Sequence, residues 1–97
     1  MDAEIKRKWI KALRSGKYKQ GRFKLARLDK DSDIQFFCCI GVGFCVSSSN
    51  ANVFGIITCT ASLALGLDAE QQDILVQMND VAENNFAEIA DYIEQNL

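Results

Sequence analysis

The sequence predicts an α+β fold: an N-terminal amphipathic helix, a small antiparallel sheet of two to three strands, a short buried helix and two C-terminal helices. Three observations carry that prediction. Ile5, Trp9, Ala12 and Leu13 recur at helical period near the start. A turn-forming run, Asp29-Lys30-Asp31-Ser32-Asp33, separates two short strand-like segments. Two capping-box patterns open apolar helical stripes in the last third. With 97 residues, 48% of them hydrophobic, the chain supports one domain over residues 1–97.

Taken in order, Asp2 can cap a helix over about residues 3–15, with Lys6, Arg7, Lys8, Lys11 and Arg14 on its polar sides. Gly16 is the natural residue to end it. A basic loop then spans residues 16–24. A strand from Phe23 to Leu28, its register ambiguous, pairs with Ile34 to Phe37 as a hairpin. Cys38 to Val46 contains two glycines, yet Cys38 and Cys45, and Ile40 and Phe44, lie at helical spacing. The reading favours a short buried helix there over a strand. Val53 to Thr60 is rich in β-branched residues and reads as a further strand. A short helical turn at Ser62 to Leu65 follows, closed by Gly66. Asp68 with Gln71 opens a helix to about Asn79 bearing Ile74, Leu75 and Met78. Asn85 with Glu88 opens the last helix, whose stripe is Phe86, Ile89, Ala90, Ile93 and Leu97. Asn79-Asp80 reads as a helix-terminating and capping pair.

Composition removes several function classes. The chain has no His, so Ser-His-Asp and Cys-His nucleophile systems, His-containing metal sites and an imidazole pH switch are excluded. The four cysteines follow C-C-x5-C with Cys59 remote, which is poor zinc-ligand spacing, and they read as small buried hydrophobes. Asp29-x-Asp31-x-Asp33 starts like a calcium loop, but Ile34 and Ile40 stand where Gly and a bidentate Glu are needed. Carboxylates from Asp68 to Glu94 are spaced as helix surface, with no acid–base pair. The longest apolar run, Phe36 to Val46, is 11 residues, too short for a bilayer. The acidic start, Met1-Asp2-Ala3-Glu4, lacks the form of a secretory signal, so reduced thiols and a cytoplasmic location are expected.

The charge distribution is more informative than its total of −2. Residues 1–30 hold all 11 Lys and Arg against three acidic residues, a net +8, whereas residues 31–97 hold ten acidic residues and no cation, a net −10. Such asymmetry signals an anionic partner or a contact between complementary ends. The candidate site is the basic loop with the end of the first helix: Lys11, Arg14, Lys17, Tyr18, Lys19, Gln20, Gly21 and Arg22. Glycine lets backbone N–H groups converge on an anion, the cations attract it, and Tyr18 offers a face for stacking. Gly16-x4-Gly21-Arg22-Phe23 differs from a P-loop, which needs Lys and Ser/Thr at the last two positions and follows a strand.

The residues from Trp9 through Ala12-Leu13-Arg14-Ser15-Gly16-Lys17-Tyr18-Lys19-Gln20-Gly21, then Phe37-Cys38-Cys39-Ile40-Gly41-Val42 with Cys45, Leu65-Gly66-Leu67, Met78-Asn79-Asp80 and Phe86 to Glu94 occur in one order. That order resembles a family of small proteins of bacteriophage and bacterial genomes. The resemblance covers most of the chain and implies a phage or prophage accessory protein, located in the host cytoplasm, with no activity attached. The chain departs from the pattern at Val46, where an acidic residue is usual, and in the Ser/Asn stretch at 47–52.

Together these readings predict a non-catalytic binding module with no catalytic residues, metal or cofactor. Its basic helix and loop would recognise an anionic partner, a nucleotide-like ligand or nucleic acid, away from membranes. The alternative is a protein-interaction or self-assembly module, in which the basic third contacts acidic C-terminal helices of another copy or of a host protein.

Overall fold

A computed structural model describes residues 2–21, 26–29, 31, 34–47 and 58–97. Eight elements follow in chain order: α1 (Ala3–Arg14), β1 (Lys19–Gln20), β2 (Ala26–Asp29), β3 (Ile34–Phe37), α2 (Cys39–Ser47), α3 (Thr58–Ala64), α4 (Ala69–Asp80) and α5 (Phe86–Asn96).

α2, apolar from Cys39 to Val46, forms the centre. Cys39 to Phe44 are all buried, so this stretch has no solvent face to mark with polar residues. α1, α3, α4 and β3 pack around it, and α5 closes against α1 and α4. Trp9 anchors α1 to this centre. It is fully buried, and its indole Nε1 donates to the Cys39 carbonyl at 2.9 Å. Gly43 makes that approach possible, since a Cβ there would stand 2.8 Å from Trp9 Cε2 and 2.7 Å from Leu65 Cδ1. Cys38 precedes α2, and its Sγ accepts from the Gly41 N–H at 3.3 Å.

The helix ends follow local chemistry. Asp2 Oδ1 accepts from Glu4 N at 2.7 Å and Ile5 N at 3.4 Å, capping α1. Both C-terminal capping boxes form: Asp68 with Gln71 and Asn85 with Glu88 exchange reciprocal side chain–backbone bonds of 2.8 to 3.0 Å. Gly16 and Gly66 adopt positive φ just beyond their helices.

Three expectations are corrected. The sheet is mixed, not antiparallel, with strand order β1-β3-β2. β2 pairs antiparallel with β3 from Ala26↔Phe37 to Asp29↔Ile34, but β1 joins the other edge of β3 in parallel, Lys19 facing Phe36 and Gln20 facing Phe37. A two-residue strand is too short for alternation to reveal it. What fixes it is Gly21, whose N–H donates to the Phe37 carbonyl at 2.7 Å and whose missing Cβ would meet Phe36 Cβ at 2.9 Å. Second, Thr58 to Thr60, expected in a strand, begin α3, because Ala61, Ser62 and Leu65 turn into the core at helical spacing. Residues 53–57 of that expected strand, like residues 23–25 of the first hairpin strand, lie outside the described residues. Third, the Asn79-Asp80 pair ends α4 as expected, but Asn79 does not cap that end: it is 1% exposed and its side chain bonds across the core.

Candidate anion-binding surface

α1 turns Trp9 and Leu13 inward, and helical geometry then directs its cations outward. Two depressions flank the helix and share Lys11 and Ser15. The first, about 650 Å³, is lined by Lys6, Arg7, Ile10, Lys11, Arg14 and Glu94. The second, about 390 Å³, lies between α1, the following loop and α2, where Lys8, Lys11, Lys17, Tyr18, Cys45 and Val46 meet. Lys11 therefore stands on the ridge between them.

These cations differ in availability. Arg14 Nη2 lies 2.7 Å from Asp91 Oδ1 and 2.6 Å from Glu94 Oε2, joining the end of α1 to α5. Its hydrogen bonds to the Asp91 and then the Glu94 carboxylates raise its already high pKa further. Lys8 pairs with Glu4 at 3.3 Å, and Lys6 Nζ donates to the Glu94 carbonyl at 3.3 Å. Among the described residues no ion pair engages Arg7, Lys11, Lys17 or Lys19. Lys11, Lys17 and Lys19 are exposed. Three of the sequence-predicted cations thus present free charge, while Arg14 is already neutralised within the chain.

Tyr18 is half-buried. Its ring meets Phe37 edge-on at 5.3 Å and 87°, and Lys17 Nζ lies 5.9 Å from its centroid. Burial raises its hydroxyl pKa, with a smaller contribution from Cys45. Tyr18 therefore both packs on the core and lines the second depression.

Gln20 and Gly21 are placed differently. Gln20 Nε2 donates to Asn79 Oδ1 at 3.0 Å and to the Asn84 carbonyl at 2.8 Å. The Gly21 N–H is taken by Phe37, and its carbonyl accepts from Asn79 Nδ2 at 2.9 Å. The same Asn79 Oδ1 accepts the Cys39 N–H at 3.1 Å, and its Nδ2 also donates to Asp80 Oδ1 at 2.7 Å. The loop, the double cysteine and Met78-Asn79-Asp80 thus converge on one buried carboxamide. Arg22 lies outside the described residues.

The sequence placed Asn79 at the end of α4 but did not show its buried role. The available signal was its spacing: four residues after the buried Leu75, it falls on the core face of α4.

A family model described as a domain of unknown function, DUF8296, matches residues 1–54, more than half of the 97. The chain belongs to DUF8296. That match contains α1, all three strands and α2, and so every residue of the candidate surface except the α5 carboxylates that bind Arg14. No curated protein and no solved structure matches the chain.

Other chemistry finds less support on this DUF8296 chain. Among the described residues no three Cys, Asp or Glu side chains are grouped to hold a metal ion. Cys38, Cys39 and Cys45 are free thiols. Burial pushes the Cys38 pKa up to about 11 and raises those of Cys39 and Cys45, so none is activated as a nucleophile. Among the described residues no helix is long and apolar enough to cross a membrane.

Proposed function

We propose that this DUF8296 protein is a non-catalytic binding module whose α1 and following loop recognise a phosphate-bearing anion, either a nucleotide-like ligand or nucleic acid. The observation that carries the reading is a set of cations with no ion pair among the described residues: Arg7, Lys11 and Lys17 line two depressions that share Lys11, and Lys19 stands exposed on the following strand. Opposed charge on a concave surface raises the local concentration of an anion, and the partly exposed Tyr18 ring adds a stacking face. Lys11, Lys17, Tyr18 and Lys19 act as contacts, together with Arg22 by its place in the sequence. Arg14, Gln20 and Gly21 hold that surface in position through α5, Asn79 and β3. The resemblance to phage and prophage proteins supports an accessory role in a host cytoplasm.

The test is titration of the full chain at low salt with nucleoside triphosphates, by calorimetry, and with labelled oligonucleotides, by fluorescence anisotropy. Saturable binding is expected in at least one arm, and Lys11→Ala with Lys17→Ala weakens it at least tenfold. Absence of binding in both arms overturns the reading.

A further inference from the structure

A second unpartnered surface lies on α4. Ile74, Gln77, Met78 and Val81 follow i, i+3, i+4, i+7 and line a depression of about 620 Å³ rimmed by Glu70 and Asp73. Val81 is 71% exposed and Ile74 36%. Ile74, Met78 and Val81 give this face an apolar centre, with Gln77 and the two carboxylates as its polar surround. Nothing in residues 31–97 is cationic, so that rim is wholly negative.

On α1, Arg7, Ile10, Lys11 and Arg14 repeat the same spacing; Arg7 and Lys11 bring the opposite charge, Arg14 is paired with Asp91 and Glu94 of α5, and Ile10 forms the apolar floor of the first depression. Both stripes run over seven residue steps, about 10.5 Å at helical rise. Within one copy, α1 and α4 are each held against α2 and α5, and the α4 stripe remains open to solvent. We infer that the α4 stripe of one copy docks into the α1 depression of a second copy. Charge selects this pairing over symmetric ones: α4 on α4 would oppose carboxylates, and α1 on α1 would oppose cations. A contact between two different surfaces is head-to-tail, so assembly continues past the dimer unless it closes into a ring. Because Lys11 belongs to both this depression and the anion surface, a bound polyanion competes with self-association.

Sedimentation velocity of the full chain over a concentration series is the test. At low salt the parent's mass rises with concentration, and high salt returns it to monomer. Ile74→Gln with Val81→Gln, and separately Arg7→Gln with Lys11→Gln, each stay monomeric. Mixed one to one, they form a species of dimer mass and nothing larger, since only one good stripe and one good depression remain. Circular dichroism checks their folding; Val81→Gln alone, at a well-exposed position, carries the same expectation should the double variant not fold. A parent that is monomeric throughout, a stripe variant that assembles like the parent, or a mixture that stays monomeric overturns the inference. At protein concentrations where the parent is monomeric, the stripe variant keeps parental oligonucleotide affinity, so failure of assembly and failure of the anion reading are separately visible.

Discussion

Gln20 on β1 and Asn79 on α4, 59 residues apart, are joined by a 3.0 Å hydrogen bond from Nε2 to Oδ1. That bond makes the basic loop part of the core's polar wiring. Asn79 uses both ends of its carboxamide, taking the Gln20 amide and the Cys39 N–H on oxygen and serving Gly21 and Asp80 from nitrogen. Its burial is tolerable because these four bonds satisfy it.

Asn79→Ala strands the Cys39 N–H and the Gly21 carbonyl in a dry interior. A buried group left unpaired costs about 1–3 kcal/mol, so the variant loses about 3 kcal/mol overall. Urea unfolding measures this, and the loss appears in the midpoint while the slope stays constant.

Gly43→Ala separates packing from helix propensity. Alanine should gain about 1 kcal/mol in a helix interior. Its Cβ, however, would press on Trp9 and Leu65 at 2.8 and 2.7 Å, and overpacking costs about 2 kcal/mol. Net destabilisation of about 1 kcal/mol is expected, with a shift in Trp9 fluorescence. A more stable variant would show that the contact relaxes freely.

Burial of the thiols has two readouts. Alkylation of native protein at pH 8, mapped by mass spectrometry, leaves Cys38 and Cys39 unmodified until denaturant is added, because the thiolate is the reactive form. Stability also falls at alkaline pH. The Cys38 pKa is raised on folding from 9.0 to about 11, so the neutral thiol favoured by the fold contributes fully below pH 9. That contribution is lost as pH rises toward 11, where the unfolded chain has already ionised. Thermal unfolding at pH 8 and pH 10.5 shows the drop.

Much of the fold was legible in the sequence, for identifiable reasons. α1, α4 and α5 carry their caps and stripes locally, and α2 showed itself through Cys38 with Cys45 and Ile40 with Phe44. β1 was not legible, because two residues cannot display a period and its pairing depends on the absent Cβ of Gly21. α3 was missed at Thr58 to Thr60, where β-branched composition yielded to packing of Ala61 and Leu65. At the candidate site, the cations were plain from charge alone. The division of labour among them was not, since the partners of Arg14 and Gln20 come from α4, α5 and the turn between them, about 60 to 80 residues away along the chain.

The central claim is that the cations around Lys11 with no ion pair among the described residues hold phosphate, and salt dependence tests it most directly. Anisotropy of a labelled single-stranded oligonucleotide, titrated across a salt series, gives the slope of log affinity against log salt. With three to four phosphates neutralised, a slope of about −2 to −3 is predicted, and Lys11→Ala makes it shallower by about 0.7. No binding of the oligonucleotide or of a nucleoside triphosphate at low salt, or a slope that Lys11→Ala leaves unchanged, contradicts the account.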